Sequence, residues 1–189
     1  SSVQQIGNWF SKNGGGSLAI MVNPYYHFEY EMYVPDMSDS LKNIWQHDEK
    51  GMEMLKKVYN IGMSSGAKTI MLMGDDFVPH EKDYRKLYSL WTDADKKRHH
   101  TLAGAQVFMI NYIHDWLAKE YPGTRMEFCP PWYLNEFIDK SRGSAESYFD
   151  ELIPLIPEDV AIIWTGNTVR SLQIDEVDLF RFMQYSKRL

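Results

Sequence analysis

Short apolar runs alternate with longer stretches of helical periodicity along this chain. Ser17 to Asn23, Thr69 to Met73, Arg125 to Cys129 and Val160 to Trp164 are the four runs, each of strand length. Ser17 to Asn23 is closed by Pro24. Thr69 to Met73 is apolar almost throughout, which predicts a strand buried on both faces. Helical spacing predicts a short helix over Val3 to Lys12, with Val3, Ile6, Trp9 and Phe10 on one face and a stop at Asn13-Gly14-Gly15-Gly16. A helical stretch begins near Ser38, and the pattern strengthens from Trp45 to Met63. There Met52, Leu55, Val58, Tyr59 and Met63 recur at spacings of three and four, as core packing requires. Gly62 and Gly66 suit the end of that helix. A short helix is expected around Tyr84 to Trp91, and an amphipathic one over Leu102 to Leu117 with Ala105, Met109, Ile113 and Trp116 on one face. Tyr121-Pro122-Gly123 ends the latter. Ser144 to Leu155 is another helix, left at Pro157, and Asp175 to Tyr185 is the last, with Val177, Phe180 and Met183 inward.

The resulting order is a helix followed by strand and helix four times. Such alternation implies parallel βα units with right-handed crossovers, an α/β fold. Ligands of parallel sheets collect beyond the carboxyl ends of the strands. Three of the four strands end there in polar or aromatic groups: Asp75-Asp76, Trp132-Tyr133 and Thr165-Gly166-Asn167. Tyr25 and Tyr26 follow the first strand on the same side. The tyrosine-rich segment from Tyr25 to Asp36 is either a binding loop or a surface loop packed on the domain.

Composition narrows the field. The chain has 189 residues, 44% of them hydrophobic and 24% charged, enough for one globular domain with a core. A net charge of −6 argues against nucleic acid as the main partner, since phosphate binding needs a basic face. No apolar run is long enough to span a bilayer. Cys129 is the single cysteine, which excludes an internal disulfide; a small buried core residue is its expected role. His99 and His100 are expected to be solvated or helix-capping. Asp75, Asp76 and His80 make a poor first shell for a metal.

Adjacent carboxylates at a strand end raise each other's pKa and lose water, so they suggest chemistry. Adjacent strand residues point to opposite sides, so the two need not share a role. The plain alternative is that Asp76 caps the next turn while Asp75 is solvated.

Four stretches, in order and at matching spacing, resemble the catalytic domain of glycoside hydrolase family 84. They are LMGDDF (Leu72 to Phe77), AGAQVFMIN (Ala103 to Asn111), FCPPWY (Phe128 to Tyr133) and IWTGNTVRSLQI (Ile163 to Ile174). The family comprises β-N-acetylglucosaminidases, including O-GlcNAcases and proteins once called hyaluronidases. The resemblance implies a partial (β/α)8 TIM barrel of about four βα units, spanning residues 1 to 189 as a single partial domain from the middle of the barrel. A complete barrel takes about 250 residues and eight strands.

The resemblance also implies a mechanism. The sugar's own 2-acetamido oxygen attacks the anomeric carbon and forms an oxazoline, with no enzyme nucleophile. By position, Asp75 matches the residue that orients the acetamido group, and Asp76 the general acid/base, its pKa raised by burial and by its neighbour. Tyr133 matches a tyrosine bonded to the acetamido group. Trp164, Thr165, Gly166 and Asn167 match a segment lining the sugar pocket. No cofactor or metal is implied. The implied partner is a glycan or glycoprotein bearing N-acetylglucosamine, and a secreted or periplasmic setting is favoured. Two departures stand out. Gly74 replaces a larger residue before the acid pair, which predicts a looser backbone there, and Pro-Pro-Trp at residues 130–132 replaces Pro-Thr-Glu. Half of the sugar clamp has no counterpart in these residues, so a non-catalytic half barrel binding glycan or a protein is the competing reading. A partial barrel would have open sheet edges, so either self-association or edges blunted by the terminal helices is expected.

Overall fold

The computed structural model describes residues 5, 8, 9, 12, 18–22, 49–74, 93–141 and 143–187. Residues 5, 8, 9 and 12 are helical, in line with the expected N-terminal helix, although Trp9 is exposed. The Tyr25 to Asp36 loop, the helical onset near Ser38, the short helix around Tyr84 to Trp91, His80, and Asp75 and Asp76 lie outside the described residues.

The remaining elements follow the predicted alternation. Strand β1 (Ala19–Val22) leads to helix α1 (Glu49–Ser64), then β2 (Thr69–Met73). Helices α2 (Asp93–Arg98) and α3 (Leu102–Glu120) precede β3 (Arg125–Cys129). Helices α4 (Asn135–Lys140) and α5 (Ser144–Leu152) lead through a 3₁₀ turn (Ile153–Leu155) to β4 (Ala161–Ile162), and α6 (Glu176–Ser186) follows. Among the described residues the four strands form one parallel sheet in the order β1-β2-β3-β4. Four consecutive parallel βα units with neighbouring strands in chain order are the half-turn of a β/α barrel.

The two faces of this sheet differ, which corrects the expectation that β2 is buried on both. Ile70 and Leu72 are fully buried, whereas Thr69, Met71 and Met73 are only partly covered. Register places Met21, Met71 and Glu127 on the partly open face, where Met21 is 61% exposed. On the other face Ile70, Leu72, Met126 and Phe128 meet Leu55, Tyr59, Met109 and Ile110 from the helices in one core.

Local sequence explains most element ends. Helix α1 closes in a Schellman turn. Gly66 takes φ +90°, its N–H donates to Met63 O at 3.0 Å, and the Ala67 N–H donates to Gly62 O at 3.2 Å. Gly62 is therefore not the stop residue. It lies inside α1, where a Cβ would fall 2.1 Å from Ile20 Cγ1, so glycine lets the helix sit against β1. Thr101 caps α3 by accepting from Gly104 N–H at 3.0 Å. The expected helix from Ser144 to Leu155 tightens to 3₁₀ geometry after Leu152, because Pro154 has no N–H to continue the ladder.

Helix α6 has a different inward face from the one expected. Val177 and Phe180 are exposed, while Phe182 and Ser186 are buried. Apolar residues occupy two faces of this helix, and ring contacts select between them. Phe182 meets Phe149 at 5.8 Å and stacks on Trp164 at 5.7 Å. His99, the residue directly after α2, is not solvated. It is buried, with its ring 5.4 Å from Phe108, whereas His100 is exposed.

Candidate active site

The carboxyl ends of β2, β3 and β4 lie side by side. Parallel register pairs Met73 with Cys129, and Gly74 N–H continues the ladder by donating to Cys129 O at 2.8 Å. Beyond β4, Ile163 N–H donates to Phe128 O at 2.8 Å and Thr165 N–H to Tyr133 O at 2.9 Å. These bonds place Tyr133 beside Trp164, Thr165 and Gly166, and they set Gly74 next to the end of β3. Asp75 follows Gly74 directly in the chain.

The turn after β3 does not present both of its rings. Trp132 is 3% exposed and packs on Tyr148 at 5.0 Å, so it belongs to the core. Tyr133 is half-buried, edge-on to Phe137 at 5.7 Å, and is the ring that stands at the strand end. Cys129 is buried, as expected of a small core residue. Aromatic contacts run from Trp132 through Tyr148, Phe149 and Phe182 to Trp164. They brace the turn after β3 against the turn after β4 from behind.

A polar network ties the same two turns together. Asn135, 3% exposed, donates its Nδ2 to Asn167 Oδ1 at 2.9 Å, and its Oδ1 accepts from Trp164 Nε1 at 3.2 Å. Asn167 in turn donates to Asp178 of α6. The first amides of α4 are satisfied from across the site: Asn135 N–H donates to Gly166 O at 3.0 Å and Glu136 N–H to Asn167 O at 3.3 Å. The turn after β4 thus caps α4, whose preceding Leu134 offers no side-chain oxygen. Gly166 takes φ +95°, and a Cβ there would lie 2.5 Å from Ser171 Oγ, so this tight turn needs glycine. Thr165 Oγ1 donates to Thr168 O at 3.1 Å. Trp164 and Asn167 are therefore held by scaffold bonds, while Tyr133 and Thr165 remain half-buried beside them.

Asn135 and Tyr148 escaped the sequence reading, and Gln106 entered it only within the AGAQVFMIN stretch, without a role. Asn135 carries no local signal, because its partners lie about thirty residues downstream. Gln106 did leave a trace: it is a polar residue in the middle of a buried helical stripe, between Leu102 and Met109.

Consecutive parallel βα units with polar and aromatic groups gathered at their carboxyl ends define a domain of the β/α-barrel type. The chain belongs to the β-N-acetylglucosaminidase family, whose sequence profile matches residues 34–189. The sequence resemblance to glycoside hydrolase family 84 is thereby upheld, and the domain is glycoside hydrolase-like. A mutant O-GlcNAc hydrolase from Thermobaculum terrenum is similar in structure. The match covers 99% of this chain with a TM-score of 0.69 at 18% identity, which speaks for the fold. The chain spans 34% of that protein's length. Among curated proteins none matches significantly in sequence. No helix among the described residues is long and apolar enough to cross a membrane.

Proposed function

We propose that the protein carrying these residues hydrolyses terminal β-linked N-acetylglucosamine by a substrate-assisted, retaining mechanism. The observation that carries this reading is the adjacency of three strand ends within a chain of the β-N-acetylglucosaminidase family. In the proposed reaction Asp75 accepts a hydrogen bond from the acetamido N–H and turns the carbonyl oxygen toward the anomeric carbon. That oxygen forms the new C–O bond as the glycosidic bond breaks, and Asp76 gives its proton to the leaving oxygen. Asp76 then takes a proton from water, which opens the oxazolinium ring held by the Asp75 carboxylate and restores the sugar with its original configuration. Tyr133 donates to the acetamido oxygen, and Trp164, Thr165, Gly166 and Asn167 form the adjoining wall. The partner is a glycan or glycoprotein bearing N-acetylglucosamine.

The test uses aryl β-N-acetylglucosaminides whose acetamido methyl carries zero, one, two or three fluorines. Fluorine withdraws electrons from the carbonyl oxygen that attacks. The expected result is a stepwise fall in kcat/KM along the series. A flat series would exclude participation of the acetamido group.

The competing reading, a glycan-binding half barrel without turnover, draws on the partly open sheet face on which Met21 is exposed. It expects binding of N-acetylglucosamine with no release of the aryl group. Self-association through the outer edges of β1 and β4 is a further proposal, checked by gel filtration at several concentrations.

A further inference from the structure

We infer that Gln106 is a positioning residue that fixes the backbone at Gly74, the last residue before the acid pair. The inference deepens the proposed function, since it rests on Asp75 and Asp76 being the catalytic carboxylates.

Gln106 is fully buried on α3, where a glutamine side chain needs partners at both ends. Its Nε2 donates to Gly74 O at 3.3 Å. Its Oε1 accepts from the Tyr148 hydroxyl. The amide orientation follows from this arrangement. The Gly74 carbonyl can only accept, so the NH2 end must face it and the oxygen must face the hydroxyl. Gly74 N–H is also engaged, donating to Cys129 O at 2.8 Å. Both polar backbone groups of Gly74 are thus held, one by β3 and one by α3.

The absent side chain makes this possible. A Cβ on Gly74 would lie 2.8 Å from Gln106 Nε2 and 2.8 Å from Phe128 Cζ. The space that a larger residue would fill is occupied by the clamp itself. The looser backbone expected of a glycine here is replaced by a bonded one. Tyr148 serves both sides of the site: its hydroxyl holds Gln106, and its ring carries Trp132, the neighbour of Tyr133. Gln106 and Tyr148 together fix the end of β2 at Gly74, after which the acid pair follows in the sequence, relative to the turn that carries Tyr133.

Catalytic carboxylates depend on such placement, since a displacement of about 1 Å costs roughly a hundredfold in rate. The test compares Gln106→Met, which keeps length but loses both bonds, with Tyr148→Phe, which keeps the ring and loses the hydroxyl. Leu117→Ala, a buried position three turns further along α3, supplies a control for general destabilisation. All are made in the full-length protein. The expected result is a fall in kcat of about tenfold or more for Gln106→Met, with KM changed less than about threefold. A smaller fall in kcat is expected for Tyr148→Phe. Leu117→Ala lowers Tm and leaves kcat near wild type. Hydrogen exchange at the Gly74 amide accelerates in Gln106→Met and not in Leu117→Ala. Wild-type kcat and unchanged Gly74 exchange in Gln106→Met would overturn the inference, as would a kcat loss in Leu117→Ala of equal size. If Gln106→Met does not fold, Tyr148→Phe decides on the same two readouts. If the wild-type protein shows no turnover, the proposed function fails while the exchange measurement still decides the clamp.

Discussion

The two faces of the four-stranded sheet have been built for different ends. On the helix-covered face, Ile70, Leu72 and Phe128 are fully buried and Met126 nearly so. On the other face Met21 is largely exposed, Met71 is half-covered, and Arg125 pairs with Glu127 at 2.9 Å. The packed face is mostly apolar, and the polar groups behind it, such as Gln106, are bonded at both ends; the partly open face carries charge. The apolar contacts that hold the strands in register thus lie mainly on one face, and the exposed and charged side chains on the other.

The largest effect that would expose this difference is a core truncation. Phe128→Ala is expected to destabilise by about 3–5 kcal/mol, read as a lower midpoint in urea. Met21→Ala, on the open face, should stay within about 0.5 kcal/mol. Equal losses would show that both faces are packed. Next comes the helix–strand approach. Gly62→Ala places a methyl against Ile20 and should cost about 1–3 kcal/mol. Adding Ile20→Ala should recover part of that loss, so the two changes are non-additive. Thr101→Ala removes the α3 cap and should cost about 1 kcal/mol, without touching either face.

The smallest effect lies at the surface. Glu49 accepts from Arg98 Nη1 at 2.8 Å, a contact that ties α1 to α2. That guanidinium hydrogen bond, then the residue's own backbone bond, lowers the Glu49 pKa from 4.5 to about 2. A lowered folded-state pKa stabilises above the unfolded value and ceases to do so as pH falls through the folded one. Wild type should therefore lose its small advantage over Glu49→Gln between about pH 4.5 and about pH 2. An advantage that is independent of pH would show that the pair contributes nothing through charge.

Much of this fold could be read from the sequence because several elements report themselves locally. The apolar run of β2, the stripe of α1 and the punctuation at Tyr121-Pro122-Gly123 each match an observed boundary within a few residues. Other features depend on distant partners. Helix α4 went unread because its amides are capped by Gly166 and Asn167, and not by its own neighbours. The inward face of α6 was misread because two apolar faces compete and only Phe149 and Trp164 decide between them. Trp132 and Tyr133 look equivalent in sequence, yet Tyr148 draws one into the core and leaves the other at the strand end. At the candidate site, the strand-end groups were legible as a pattern, and Tyr133, Trp164, Thr165, Gly166 and Asn167 do gather. Of the braces behind them, Asn135 and Tyr148 were not legible, and Gln106 showed only as a polar residue in a buried stripe.

The central claim is that the strand ends of this family member carry a working acid pair. Its most direct test is release of a chromogenic alcohol from an aryl β-N-acetylglucosaminide by the full-length protein, beside Asp75→Asn and Asp76→Asn. The account predicts turnover in wild type and a loss of about a hundredfold or more in each variant, with the fold retained. Turnover that survives both substitutions, or a folded wild-type protein that binds N-acetylglucosamine without cleaving it, would contradict the claim.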